Sequence, residues 1–259
     1  VSNARYARRA RVGLVARYLA LTVAALVVVF PLYIIFLDAT LSIQQITHTP
    51  PVLFSWHLHW SVFTTAWQVA GLGRALWNSI LQTGLTVIGQ LLTSILAAFA
   101  FAFLEFPLKR TLFVLTLTTL MIPFEVTLIT NFQTVTTLGL YGNMGGLVVP
   151  FLATGFGIFL LREAFQQIPR EMREAAVIDG YSNLKFMRRV AVPMARPSIA
   201  ALAVFSFLGA WNSYLWPAIL TANNPVIRTL QIQIKSIGGS VSAANLQIAA
   251  AAIAVFPLL

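Results

Sequence analysis

The sequence predicts an all-α, polytopic membrane protein with six transmembrane helices, N- and C-termini in the cytoplasm and the last helix truncated. Three observations carry that prediction. Of the 259 residues, 58% are hydrophobic and only 9% charged, against about 45–50% and about 25% in soluble proteins. Uncharged runs near 20 residues recur, the length that crosses a hydrocarbon core ~30 Å thick. The 17 Lys+Arg, set against 7 Asp+Glu for a net charge of +10, fall mostly in short segments between those runs. In a soluble chain that charge would suggest nucleic acid; here it follows from the positive-inside rule and calls for no nucleic-acid partner. An ordinary soluble enzyme is excluded. With no cysteine in the chain, so are disulfides, thiolate catalysis and Cys-ligated zinc.

The first span is Tyr18–Leu37, uncharged and preceded by Arg5, Arg8, Arg9, Arg11 and Arg17. It is longer than a signal-peptide apolar region and no clear cleavage site follows, so residues 1–17 form a basic cytoplasmic arm and the span is retained. The second is the 30-residue run Ala75–Leu104, tilted or begun outside the hydrocarbon, with Gln82 and Gln90 facing protein. Glu105–Arg110 is a tight cytoplasmic turn. A third span runs from about Thr111 to Asn131, interrupted by Pro123 and carrying Glu125. The fourth, Asn143–Leu161, contains Pro150, Gly155 and Gly157, which suit close helix packing. The fifth, Pro197–Trp216, ends in the interfacial aromatics Trp211, Tyr214 and Trp216. The sixth run, Leu246–Leu259, has 14 residues, too few to cross a bilayer, so the natural protein is expected to continue beyond Leu259. Alternating sides puts 14 of the 17 basic residues inside, leaving only Arg74, Arg228 and Lys235 elsewhere.

The segment Arg162–Arg196 holds seven Lys+Arg and four acids. Within it Pro169–Gly180 reads as a short helix, with Pro169 in the first turn, Glu171 near the positive end and Gly180 ending it in a left-handed conformation. A second short helix starts after Ser182 as N-cap and runs until Pro193 stops it. Glu174 and Ile178 share a face of the first, and Ala175 and Ala176 allow a close approach to its backbone. From periodicity alone this is equally a docking knob for a soluble partner or a solvated interhelical loop.

Glu174-Ala175-Ala176, Gly180 after three further residues, then nine residues and Val190-Ala191-Val192-Pro193 resemble the E-A-A-x3-G-x9-I-x-L-P loop of the membrane subunits of ATP-binding-cassette importers, with Val for Ile and for Leu as the departures. Phe30–Tyr33, Leu120–Pro123, Phe156–Phe165, Ile168–Gly180 and Phe207–Pro217 are similar to the carbohydrate-uptake branch, that of the maltose importer. Phe30–Leu41 and Thr119–Val126 look most like the second membrane subunit of the glycerol-3-phosphate and glycerophosphodiester importer.

The resemblance implies a type-1 transmembrane domain over residues 18–259, multi-pass in the bacterial cell membrane, with residues 162–196 as its coupling loop. It implies a non-catalytic permease subunit forming half of a pore for glycerol-3-phosphate, a glycerophosphodiester or a related sugar, or alternatively for a di- or oligosaccharide. Its partners would be a homologous membrane subunit, two ATPase subunits, an extracytoplasmic solute-binding protein and the lipid bilayer. Glu174 would meet an arginine of the ATPase; Ala175, Ala176 and Gly180 would let the helix seat in a cleft; Asp179 and Pro193 would shape the elbow. The chain has no G-x-x-x-x-G-K-[ST] phosphate loop, so it binds no cofactor of its own and ATP and Mg belong to the partner ATPase subunits.

Glu125, an acid inside a span, reads as a path or gating residue or, alternatively, as a structural hydrogen-bonding group near the outer interface. Asn131, Asn212 and Tyr214 are further path candidates whose alternative is helix contact and an interfacial belt. His57 and His59, with His48 nearby, lack a closing carboxylate and sit beside Trp56 and Trp60, so no metal site is assigned. An ion-coupled carrier would show internal repeats or more intramembrane charge, and an intramembrane enzyme would show paired catalytic groups. The spans offer neither.

Overall fold

The computed structural model describes residues 2–238 and 243–258, with side chains from residue 13 onward. Among the described residues every regular element is helical; the α-helices are numbered α1 to α15 along the chain. They form two compact units, Val1–Leu72 with Gln233–Leu259, and Gly73–Ile232.

In the first unit, α1 (Ser2–Thr40) is a single helix of 39 residues, of which Gly13–Thr40 is long and apolar enough to cross a membrane. Residues 2–17 of the expected basic arm are helical and continuous with the rest of α1. No Gly or Pro interrupts residues 2–12, and Arg and Ala are good helix formers. The side chains of Arg5, Arg8, Arg9 and Arg11 lie outside the described residues. Pro31 sits inside α1 without ending it. After it, α2 (Ile43–Ile46) opens on a capping box: Ser42 Oγ accepts from the Gln45 N–H at 3.4 Å, and Gln45 Oε1 accepts from the Ser42 N–H at 3.1 Å. Then α3 (Ser61–Val69) leads toward the second unit. The last run forms α15 (Ala244–Val255) and a 3₁₀ turn, Phe256–Leu258; Leu259 lies outside the described residues. Its Ala249, Ala250, Ala252 and Ala254 are buried, and α15 packs against α1 and α3 through these small side chains, which let helix backbones approach closely.

The second unit is organised on α4 (Leu72–Phe103), the other helix long and apolar enough to span. Gln82 is buried and Gln90 Nε2 donates to the Phe151 carbonyl at 2.9 Å, so both face protein as expected. The turn at Glu105–Arg110 places Leu108 at φ 60° before α5 (Lys109–Thr118), and Lys109 Nζ donates to the Leu104 carbonyl at 2.7 Å.

Three expected spans are not single helices. In place of a continuous Thr111–Asn131, α5 and a 3₁₀ turn over Thr119–Met121 meet α6 (Phe124–Thr137) at 105°. Pro123 has no N–H and forces Ile122 out of the helical region, to ψ 112°. The fourth span is α7 (Met144–Val148), a 3₁₀ turn holding Pro150, and α8 (Gly155–Gln166), bent by 44°. The fifth, α12 (Arg196–Trp211), stops five residues before Trp216 and restarts as α13 (Leu215–Leu220). Asn212 turns back to donate to the Leu208 carbonyl at 2.9 Å, and a helix continuous through Pro217 would drive its ring into the Ser213 carbonyl. Counted by length and composition, the described chain has two unbroken spans, or up to five if each bent pair is one span.

Gly157 of α8 lies against the Ser94 side chain of α4, and Gly89 of α4 lies against Leu152 in the turn before α8. A Cβ on Gly157 would run into Ser94 Oγ and Leu202, and one on Gly89 into the Leu152 side chain. Two apolar clusters complete the unit. One joins the end of α4 to residues 161–202, and the other gathers Val135, Leu147, Val148 and Leu220 around Trp216, whose Nε1 donates to the Gly146 carbonyl at 3.0 Å.

Candidate functional site

In the segment that follows α8, Pro169 is the N-cap of α9 (Arg170–Ile178), one residue earlier than a first-turn position. Its missing N–H costs nothing at a helix start, and Glu171 sits in the first turn, where a carboxylate is favoured by the helix dipole. The end of α9 is a Schellman arrangement. Gly180, at φ +68°, donates to the Val177 carbonyl at 3.0 Å, and Tyr181 donates to the Ala176 carbonyl at 2.8 Å. Asp179 is the C-cap, its N–H bonded to the Ala175 carbonyl at 2.9 Å. A Cβ on Gly180 would meet nothing within 4 Å, so within this chain the glycine is required by its backbone angle alone.

Glu174, Ala175, Val177 and Ile178 are exposed, Ile178 at 86%. A large apolar side chain so displayed beside a carboxylate on a short helix has no role in this chain's own packing. Ala176 does not share that face. It is 6% exposed and lies among Phe165, Ile168 and Phe186, so its small size serves the approach of α9 to the protein's own core. The outward surface is therefore Glu174, Ala175, Val177 and Ile178, and it borders a cleft of about 780 Å³ that also takes in Glu105, Arg170 and Arg173.

The knob is firmly seated. Arg173 Nη1 donates to the carbonyl of Phe103, the last residue of α4, and its guanidinium stands 5.3 Å from the Phe103 ring centroid. An orphan carbonyl at a helix C-terminus is thus satisfied by a cation, the favourable pairing for the negative end of the dipole. The same ring meets Phe99 at 5.1 Å and Phe186 at 5.2 Å, within the range of favourable aromatic pairs.

Ser182 caps α10 (Asn183–Phe186) as its spacing predicts, accepting from the Lys185 N–H at 3.3 Å. Pro193, expected to stop this helix, does not. The chain passes through a π-helical stretch, Met187–Ala191, into α11 (Val192–Met194), with Pro193 half-buried inside it. The widened π turn removes the i→i−4 register in which a proline ring clashes. The chain instead bends by 78° at Ala195, where α12 begins.

The expected path residues are scattered. Glu125 is exposed in the first turn of α6, beside the 105° break. Asn131 Nδ2 donates to Thr127 Oγ1 at 3.2 Å, Asn212 is the C-cap of α12, and Tyr214 precedes α13 at the surface. None of them lines the cavity of this unit walled by Gln82, Thr86 and Gln90 of α4, with Ser206 and Ser213 opposite; of these the sequence singled out only Gln82 and Gln90, as facing protein. The signal was present: Asn78, Gln82, Thr86, Gln90 and Ser94 recur every four residues, a polar stripe along one helix face. At its first position Asn78 Nδ2 donates to the carbonyls of Val226 and Arg228 at 2.8 and 3.0 Å. Of the histidines, His48 Nδ1 lies 3.0 Å from the Pro50 carbonyl, and no three potential metal ligands gather among the described residues.

Residues 90–259 match the family described as binding-protein-dependent transport system inner membrane component. The sn-glycerol-3-phosphate transport system permease protein UgpE of Yersinia enterocolitica is 32% identical over 209 residues, 78% of this chain and 74% of that protein. The protein of the same name from Brucella abortus is 33% identical over 225 residues, 84% and 79% of the two chains. Among solved structures, a chain of a bacterial ABC transporter involved in the import of the acidic polysaccharide alginate superposes with a TM-score of 0.81, at 22% identity, over 96% of this chain and 93% of that one. That likeness establishes the fold.

Proposed function

We propose, from the premise that the chain belongs to the family of binding-protein-dependent transport system inner membrane components, that it forms half of the pore of an ATP-driven importer of glycerol-3-phosphate or a related glycerophosphodiester. The observation that carries the substrate class is 32–33% identity, over more than three quarters of the chain, to permeases named for sn-glycerol-3-phosphate. In this reading the two bent pairs over residues 109–137 and 144–166 each count as one span and α12 as another, giving six with α1, α4 and α15, the last incomplete. Both termini and the segment 162–196 lie in the cytoplasm, because that arrangement collects 14 of the 17 basic residues inside.

The permease holds no nucleotide. Two partner ATPase subunits bind ATP and Mg, and the exposed face of α9 seats on them. Glu174 pairs with a cation there, a charge-assisted contact stronger than a neutral hydrogen bond. Gly180 and Asp179 hold the end of α9, and Pro193 sits in the elbow that leads into α12. A push on α9 reaches the spans by two routes, through the Arg173 contact to the end of α4 and through the 78° elbow into α12. A homologous membrane subunit supplies the other half of the pore, and an external solute-binding protein delivers the solute. Glu125, exposed on this chain alone, is expected to face that partner subunit or a water-filled cavity, because a carboxylate against lipid is disfavoured. Asn131, Asn212 and Tyr214 remain path candidates on the same grounds.

The test is reconstitution with the partner subunit, the ATPase and the binding protein, followed by uptake of labelled glycerol-3-phosphate, glycerophosphodiesters and oligosaccharides. ATP-dependent uptake of the first two is expected. Uptake of oligosaccharides alone overturns the substrate class, and failure of an ATPase to co-purify overturns the subunit assignment.

A further inference from the structure

Within the unit Gly73–Ile232 a cavity of about 270 Å³ lies between α4, the turn before α8, and α12. Its polar lining is neutral throughout: Gln82, Thr86 and Gln90 on α4, Thr154 in the turn, and Ser206 and Ser213 on and just beyond α12. No Lys, Arg, Asp or Glu lines it. Gln82 and Thr86 are each 3% exposed and Ser206 is 8% exposed, so these groups are withdrawn from water as well as from lipid. Thr86 Oγ1 is buried without a hydrogen-bond partner among the described residues. Gln90 spends its amide N–H on the Phe151 carbonyl and keeps its Oε1 as an acceptor.

An unsatisfied hydroxyl in an apolar environment is destabilising, and Val would fill the same volume at position 86 without that penalty. Thr86 lines a partly open space beside two amides, a place where a polar ligand can complete hydrogen bonds. The remaining walls are Phe151, Phe156, Leu202 and Phe205. They offer apolar and aromatic faces of the kind that bury C–H groups while a few placed polar groups fix orientation.

We infer that this cavity binds the hydroxyl-bearing carbon skeleton of the transported solute, a glyceryl unit or a single sugar ring. The inference rests on the import reading above and adds the group of the solute that this subunit holds. Two features narrow the ligand. The volume falls below the ~300–1,000 Å³ of ordinary ligand pockets, which excludes an oligosaccharide. The absence of any cation from the lining means that a phosphate here would be buried unpaired, so the phosphate of a glycerol phosphate lies outside the cavity.

Because the chain contains no cysteine, single thiols report on the site directly. In the complete complex in lipid vesicles, with binding protein present, Thr86→Cys and Ser206→Cys are labelled with a small water-soluble thiol reagent, with Thr65→Cys as a control in the other unit. Glycerol-3-phosphate and glycerol are each expected to slow labelling at positions 86 and 206 severalfold and to leave position 65 unchanged. Labelling at both cavity positions that no solute alters overturns the site. So do thiols that stay unreactive in the assembled complex with or without solute, since the partner subunit would then fill the space. ATP-dependent uptake measured in the same vesicles with the unsubstituted permease separates the two readings. Uptake without protection removes the cavity alone, whereas protection without uptake keeps the cavity and removes the import reading.

Discussion

In the segment around α9 the chain turns Glu174, Val177 and Ile178 outward while Ala176 anchors the helix among phenylalanines. Around the cavity on α4 the arrangement is reversed: Gln82 and Thr86 point inward with little water access, and Phe205, 58% exposed, is on the outside. A charged, apolar-tipped knob fits a protein surface that supplies the opposite charge, and a neutral hydrogen-bonding pocket fits a small polar molecule stripped of its water. The two regions are joined by one helix, since α4 carries the cavity residues along its length and ends at Phe103, whose carbonyl receives Arg173. In the proposed coupling, a force applied at α9 would pass through the Arg173–Phe103 contact to the helix that holds the pocket.

The strongest test of the outward face is Glu174→Ala. The carboxylate is exposed and makes no hydrogen bond or ion pair among the described residues, so insertion and abundance should be unchanged while ATP-dependent uptake falls about tenfold or more, the scale of losing one partner of a docked charge pair. A double-mutant cycle with the facing ATPase cation should be non-additive, and strict additivity would exclude a direct pair. Arg173→Ala comes next. It removes a charged hydrogen bond to the Phe103 carbonyl, worth about 1.5–3 kcal/mol, and should lower the thermal stability of the purified complex and weaken coupling together. Loss of stability with coupling intact would show that force reaches α4 by another route.

A smaller effect is expected from Gly180→Ala, about 1–2 kcal/mol for a left-handed position. Since nothing stands within 4 Å of the added carbon, Gly180→Leu should be no worse in the isolated subunit. A much larger loss for leucine, appearing only in the assembled complex, would locate the ATPase surface over the turn. Least of all, Thr86→Val should leave stability unchanged or slightly raised, because the hydroxyl it removes has no partner among the described residues. It should at the same time raise the KM for glycerol-3-phosphate uptake. A clear loss of stability would mean that Thr86 is satisfied structurally and would break the contrast between the two regions.

The apolar runs, the position of basic residues between them and the 20-residue E-A-A pattern are local properties of the chain, and each leaves its mark on consecutive residues. Proline and glycine effects acted locally as well, so Ser182 as a cap and Gly180 as a left-handed stop were legible before any fold was known. The broken spans were half-legible: Pro123 and Pro217 announced a disturbance, but whether a proline bends a helix, as at Pro123, or is carried through it, as at Pro31 and Pro193, depends on what the neighbouring turns can rearrange.

Ala175 and Ala176 read alike in the sequence as places of close approach to the α9 backbone, and the packing of α9 onto Phe165 and Phe186 shows which surface approaches Ala176. The cavity lay furthest from the sequence's reach. Its walls come from residues 82–90, 151–156 and 202–213, with Gly89 leaving room for Leu152 and Gly157 leaving room for Ser94 and Leu202. The sequence alone thus determined the membrane character of the chain and the position of its E-A-A pattern, since both are written in consecutive residues. The tertiary structure decided which face of α9 is free and which polar side chains converge, because those depend on contacts between separate segments, α9 with Phe165, Phe186 and the end of α4, and residues 82–90 with 151–156 and 202–213.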